Sequence, residues 1–164
     1  MLPSVARSRP AGVRQEIRQT RPFASSAQEA TVALLRTADV VRRHLTRVVQ
    51  AEDITLQQYN VLRILRGAQG QPLSALDIQD RLIEEAPGVS RLIDRLVAKG
   101  LVARTRAVED RRLLECTITA SGLALLARLD AAVDRADTDL VEPLGDRRIA
   151  TLIGLLAAIR RARP

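Results

Sequence analysis

The stretch LVARTRAVEDRRLLECTIT, residues 101–119, decides how this chain is read. Two strand-like runs, LVARTR and LLECTI, flank the tip AVEDRR. A surface loop is expected to spread its charges. Here Glu109, Asp110, Arg111 and Arg112 are adjacent, and Arg104 and Arg106 precede them along the first run. Period-two alternation places Leu114, Cys116 and Ile118 on one face of the second run. The segment therefore predicts a tight hairpin with an arginine-rich tip. Such a tip suits the narrow stretches of a DNA minor groove, where negative potential is enhanced. One carboxylate can brace a guanidinium through a bidentate bond, so Glu109 and Asp110 orient the tip without cancelling it.

Working back from the hairpin, PGVSRLIDRLVAKG (87–100) carries Val89, Leu92, Ile93, Leu96 and Val97 at the spacing of a buried helical stripe. Pro87 is read in the first turn and Gly100 as the stop. The opposite face presents Gly88, Ser90, Arg91, Asp94, Arg95 and Ala98. Before it, PLSALDIQDRLIEEA predicts a short helix capped by Ser74, and TLQQYNVLRILRGAQG a helix stopped by Gly67 and Gly70. Helix, short helix, helix, hairpin is the order of a winged helix-turn-helix, spanning residues 54–118. A helix reads base edges in the major groove mainly from its first turns. Pro87, Gly88, Ser90 and Arg91 stand at that end, with Arg95 one turn further on and within reach of the backbone. The plainer alternative is that Arg91 and Arg95 only pair with Asp94 along the helix.

Outside this lobe the rhythm is that of long amphipathic helices. Ser26 and Glu29 resemble a capping box, followed by Leu34, Ala38, Val41, Leu45 and Val48 in steps of four and three over residues 26–53. From Thr119 to the end, Leu126, Leu129, Val133, Ala136 and Leu140 make one seam, and Ile149, Leu152, Ile153, Leu156 and Ile159 another. Such seams at both chain ends favour a homodimer over a bundle closed within one chain. The fold expected is mainly α with a small β-wing, a winged helix-turn-helix flanked by long dimerisation helices. Residues 1–25 read as a basic arm broken by prolines, disordered in its outer part.

Composition supports these readings. The net charge of +7 favours an anionic partner, and 25 of the 26 basic residues are arginine, Lys99 being the exception. Phe23 and Tyr59 are the only aromatic residues, so the core is built from aliphatic side chains. No run approaches the ~18 apolar residues of a membrane span, and the arginine-bearing start lacks the apolar stretch of a secretory signal. With one cysteine and no possible internal disulfide, a cytoplasmic location is expected. The basic arm also lacks the aromatic anchors of a membrane-surface helix.

LSALDIQDRL, VSRLIDRLVAKGLVAR and EDRRLLECTITASG together resemble the helix-turn-helix, recognition helix and wing of the MarR family of transcriptional regulators. The last is the most specific, with Asp110 and Arg112 in the family's Asp-x-Arg pattern and Thr119 and Gly122 at its helix start. The resemblance covers nearly all of residues 26–161. It implies an obligate homodimer on a pseudo-palindrome, with Arg112 entering the minor groove and Asp110 bracing it. It also implies repression released by a small phenolic or other lipophilic effector. IEEAPG (83–88) departs from the pattern: Ile83 replaces the usual turn glycine, and Glu84 and Glu85 bring negative charge beside the DNA-facing turn.

His44 and Tyr59 are the candidate effector contacts, each with a plainer reading, an interface histidine and a packing tyrosine. Cys116 reads as a small core residue, and a lone His and a lone Cys argue against a metal site. No nucleophile–base pair can be built around them, and no Gly-rich phosphate loop exists, so neither an enzyme nor a cofactor is expected. The competing reading is a winged-helix protein-interaction module without specific DNA binding.

Overall fold

Thr55 starts the helix-turn-helix with a reciprocal cap. Its side chain accepts from the Gln58 backbone N–H at 3.2 Å, and Gln58 Oε1 accepts from the Thr55 N–H at 2.9 Å. In the computed structural model, which describes residues 12–84, 88–106 and 114–162, the chain divides into two compact units at Arg43–His44. The first contains α1 (Val13–Glu16) and the beginning of α2 (Ser26–Val49). The second contains the end of α2, then α3 (Leu56–Gly67), β1 (Leu73–Ser74), α4 (Ala75–Arg81), α5 (Val89–Ala98), β2 (Val102–Arg106), β3 (Leu114–Ile118), α6 (Ala120–Val141) and α7 (Asp146–Arg161). No described helix is long and apolar enough to cross a membrane.

Three features differ from the sequence reading. Within the arm, residues 13–16 form the short helix α1, and Arg14 donates to the Gln19 and Thr20 carbonyls at 3.2 and 2.7 Å. At the start of α2 the cap is Ser25, one residue before the expected Ser26. Its Oγ accepts from the Gln28 N–H at 3.2 Å, and Gln28 Oε1 accepts from the Ala24 N–H at 2.8 Å. Ser26 is already helical, and a capping residue must stand outside the helix. Thirdly, the hairpin is part of a three-stranded antiparallel sheet of order β1-β3-β2, in which Leu73 and Ser74 pair with Cys116 and Glu115. A two-residue strand has no periodicity to read and exists only because β3 offers it an edge.

One aliphatic core joins these elements. Leu62 and Leu65 of α3, Ile78 of α4, Ile93 and Leu96 of α5, Val102 and Cys116 of the sheet and Leu126 of α6 are all buried. Ser74 both ends β1 and caps α4, accepting from the Asp77 N–H at 3.1 Å while Asp77 accepts in return. Those bonds hold the Asp77 carboxyl below its ordinary pKa.

The start of α6 is stitched to the turn that launches the hairpin. Thr119 donates its hydroxyl to the Gly100 carbonyl at 2.8 Å and its N–H to the Leu101 carbonyl at 3.1 Å. The Gly122 N–H donates back to Thr119 Oγ1 at 3.1 Å. A Cβ on Gly122 would overlap the Leu101 carbonyl oxygen and stand 2.8 Å from Ile118 Cγ1. Backbone cannot yield as a side-chain tip can. Gly122→Ala is therefore expected to lower stability by about 2 kcal/mol and Tm by roughly 4–8 °C. A circular-dichroism melt with an unchanged midpoint would contradict this packing.

Candidate nucleic-acid interface

Helix α5 is anchored by its apolar stripe and open on its other side. Val89, Leu92, Ile93 and Leu96 are buried, whereas Ser90, Arg91, Asp94 and Arg95 are exposed. Val97, placed on the stripe by its spacing, is exposed at the edge of the packed face. The helix begins at Val89, with Gly88 as its N-cap at φ +86°, ψ +40°. Pro87 thus precedes the helix in sequence and is not in its first turn; it lies outside the described residues. Arg91 and Arg95 form no ion pair among the described residues, because Asp94 reaches elsewhere. Its Oδ1 meets Arg104 Nη1 of β2 at 2.7 Å.

The hairpin stem lies beside this helix. β2 and β3 pair from Val102↔Ile118 to Arg106↔Leu114, with Arg104 opposite Cys116. Arg106 is exposed at the end of the stem. Arg104 is turned inward beside Cys116, and its guanidinium is held by Asp94. Asp110, Arg111 and Arg112 lie outside the described residues. A cleft of about 160 Å³ runs between α5 and the sheet, lined by Ser90, Ile93, Asp94, Arg104, Leu114 and Cys116, with Ala75 at its edge. Cys116 is fully buried, and burial pushes its thiol pKa up, the opposite of a reactive thiolate.

His44 and Tyr59 are on other elements. His44 is half-buried on α2. Tyr59 is buried in α3 with the Arg63 guanidinium 5.8 Å from its ring centre, and burial raises its pKa. Neither lines the cleft. Among the polar contacts that escaped the sequence reading are Asp94 with Arg104 and Lys99 with Asp53. Lys99 Nζ lies 2.6 Å from Asp53 Oδ2 and donates to the Asp53 carbonyl as well, tying the end of α5 to the turn before α3. Asp53 holds that turn in the left-handed region, and the Lys99 ammonium keeps its carboxyl pKa below the ordinary value. The positions are 46 residues apart, so spacing could not reveal the pair.

Comparison with known proteins agrees with this geometry. The sequence model of the MarR family matches residues 54–114. A MarR transcription factor from Planctomyces limnophilus is 36% identical, with a TM-score of 0.64 over 84% of this chain and 99% of that one. The homoprotocatechuate degradative operon repressor of Escherichia coli is 27% identical over 65% of this chain and 70% of its own. A cysteine-to-serine mutant of MarR from E. coli, complexed with operator DNA, superimposes with a TM-score of 0.71 at 26% identity, over 77% of this chain and 90% of that one. These relatives are regulators of transcription and not enzymes.

The cap of α5 can be tested directly. A Cβ on Gly88 would meet only Arg91 Nε at 3.9 Å, an ordinary contact, so substitution costs backbone strain alone. Gly88→Ala should lose about 1–2 kcal/mol in urea unfolding. Wild-type stability in that variant would mean the left-handed cap is not adopted.

Proposed function

The chain belongs to the MarR family of transcriptional regulators, and from that premise we propose that it is a homodimeric, sequence-specific DNA-binding repressor of the cytoplasm, relieved by a small phenolic or lipophilic effector. The observation that carries the reading is the exposed face of α5. Ser90, Arg91 and Arg95 stand there without an ion pair among the described residues, on a helix whose other side is locked in the core. A guanidinium already paired along its own helix has less to offer a nucleic acid.

The amino end of α5 enters the major groove, where Pro87 and Gly88 add little bulk. Ser90 bonds a base edge or phosphate, Arg91 reaches guanine or phosphate, and Arg95 contacts the backbone. Arg106, Arg111 and Arg112 follow the wing to the minor groove, with Asp110 bracing Arg112. Arg104 drops out of the groove contacts, since Asp94 already engages its charge.

Dimerisation is supported by α7, which has no buried residue and exposes Leu152, Ile153, Leu155 and Ile159. A contiguous apolar face of this kind calls for a partner surface, and a second copy supplies it with closed symmetry. Effector relief draws on family membership. His44 remains its candidate contact, while burial beneath Arg63 makes Tyr59 a packing residue first.

Fluorescence anisotropy against duplex DNA from upstream of the protein's own reading frame, at several salt concentrations, tests the reading. Binding should fall steeply with salt as phosphate counterions are released. Arg91→Ala and Arg112→Ala should each weaken it by ~1–3 kcal/mol with the dimer intact. Wild-type affinity no greater than for random DNA, at every salt concentration, would favour the protein-interaction module instead.

A further inference from the structure

Arg104 occupies a position that strand alternation would give to an apolar side chain. It lies two residues from buried Val102 on the same face of β2, and its cross-strand partner is buried Cys116. Helix α5 packs along this side of the sheet. The Arg104 side chain is only 25% exposed, with its guanidinium on Asp94 at 2.7 Å and Cys116 opposite it across the strands. Burial opposes the Arg104 charge, but the Asp94 carboxylate and the Cys116 sulfur outweigh it and raise its pKa.

A half-buried ion pair is a poor way to gain stability, because desolvation takes back much of the attraction. A Leu or Met at position 104 would fill the space at less cost. What an apolar residue cannot supply is direction, and a planar guanidinium facing a carboxylate does so. The pair also settles an electrostatic difficulty. Asp94 sits on the exposed face of α5 between Arg91 and Arg95, where a bare carboxylate would repel DNA or draw Arg91 into an i,i+3 pair. Engaged by Arg104, it does neither.

We propose that Arg104 and Asp94 form a positioning clasp that holds the wing stem and the recognition helix at the separation and angle needed to enter neighbouring grooves of one duplex together. The clasp rests on the DNA-binding reading, and deepens it by assigning both residues to positioning and neither to base contact.

The test uses the full-length protein with Asp94→Asn, Arg104→Gln, their double variant and the exchanged pair Asp94→Arg with Arg104→Asp. Without DNA, the heteronuclear NOE values of the Thr105, Arg106 and Leu114 amides should drop in each single variant, while thermal unfolding stays cooperative. Against upstream duplex DNA, each single variant should bind about tenfold more weakly, a loss of about 1.4 kcal/mol. The double variant should be no weaker than either single one, because a clasp is lost only once. The exchanged pair should recover most of the affinity, and Asp94→Asn and the double variant, which leave no bare carboxylate beside Arg91, should keep the wild-type salt slope, since no phosphate contact is removed. Unchanged amide values in Asp94→Asn would overturn the clasp whatever DNA does. So would additive losses with a flatter salt slope in the double variant, where no Asp94 carboxylate remains to divert Arg91, which would make Arg104 a phosphate contact. If the wild type binds upstream DNA no better than random DNA while the amides respond as expected, the functional reading fails, and with it the clasp's purpose, leaving only a structural tether.

Discussion

Burial of Val89, Leu92, Ile93 and Leu96 fixes the rotation of α5 about its own axis, and what this lobe offers to a ligand follows from that rotation. Each such side chain gains roughly 1.5–3 kcal/mol on leaving water, so rolling the helix by one residue would sacrifice several of these terms at once. With the stripe held in, Ser90, Arg91 and Arg95 have only one direction left, outward. The helix cannot trade its exposed face for its buried one. A reading surface built this way is rigid before any DNA arrives, which limits the ordering cost of binding.

Charge is distributed in the same spirit. Arg66 with Asp130, Arg128 with Glu52 and Lys99 with Asp53 join segments distant in sequence, at 2.9, 2.6 and 2.6 Å. The Arg128 guanidinium holds the Glu52 carboxyl below its ordinary pKa, as Lys99 does for Asp53. These pairs sit on α3, α6, the C-terminal end of α5 and the turns beside them, where they align elements. On the exposed face of α5 the arrangement is reversed. The acid is taken up by the neighbouring strand and the bases are left over, so the surplus positive charge gathers on one face.

Much of this was legible because helices write their faces and ends locally. The i, i+3, i+4 spacing of α5 matched except at Val97, as did the caps at Thr119 and Ser74, whereas the α6 seam expected to face a second copy packs through Leu126, Leu129 and Val133 into the chain's own core. The misses share a physical cause. Ser25 and Ser26 are chemically equal, and only the first helical residue decides which one caps. Pro87 is acceptable in a helix's first turn and equally acceptable before it. Strand β1 is defined by its partner β3 and not by its own two residues. The Asp94–Arg104 pair joins a helix to a strand, whereas sequence spacing exposes only pairs within one element. Spacing alone therefore groups Arg104 with the groove-facing arginines, although its register opposite Cys116 turns it inward.

Hydroxyl-radical footprinting of the protein on its upstream DNA tests the central claim most directly, because it records groove geometry and not affinity alone. Two symmetry-related protected stretches centred about one helical turn apart, roughly 10 bp, are what two α5 helices and two wings on a dimer predict. A single unsymmetrical patch, or uniform protection at concentrations that saturate the DNA, would contradict it.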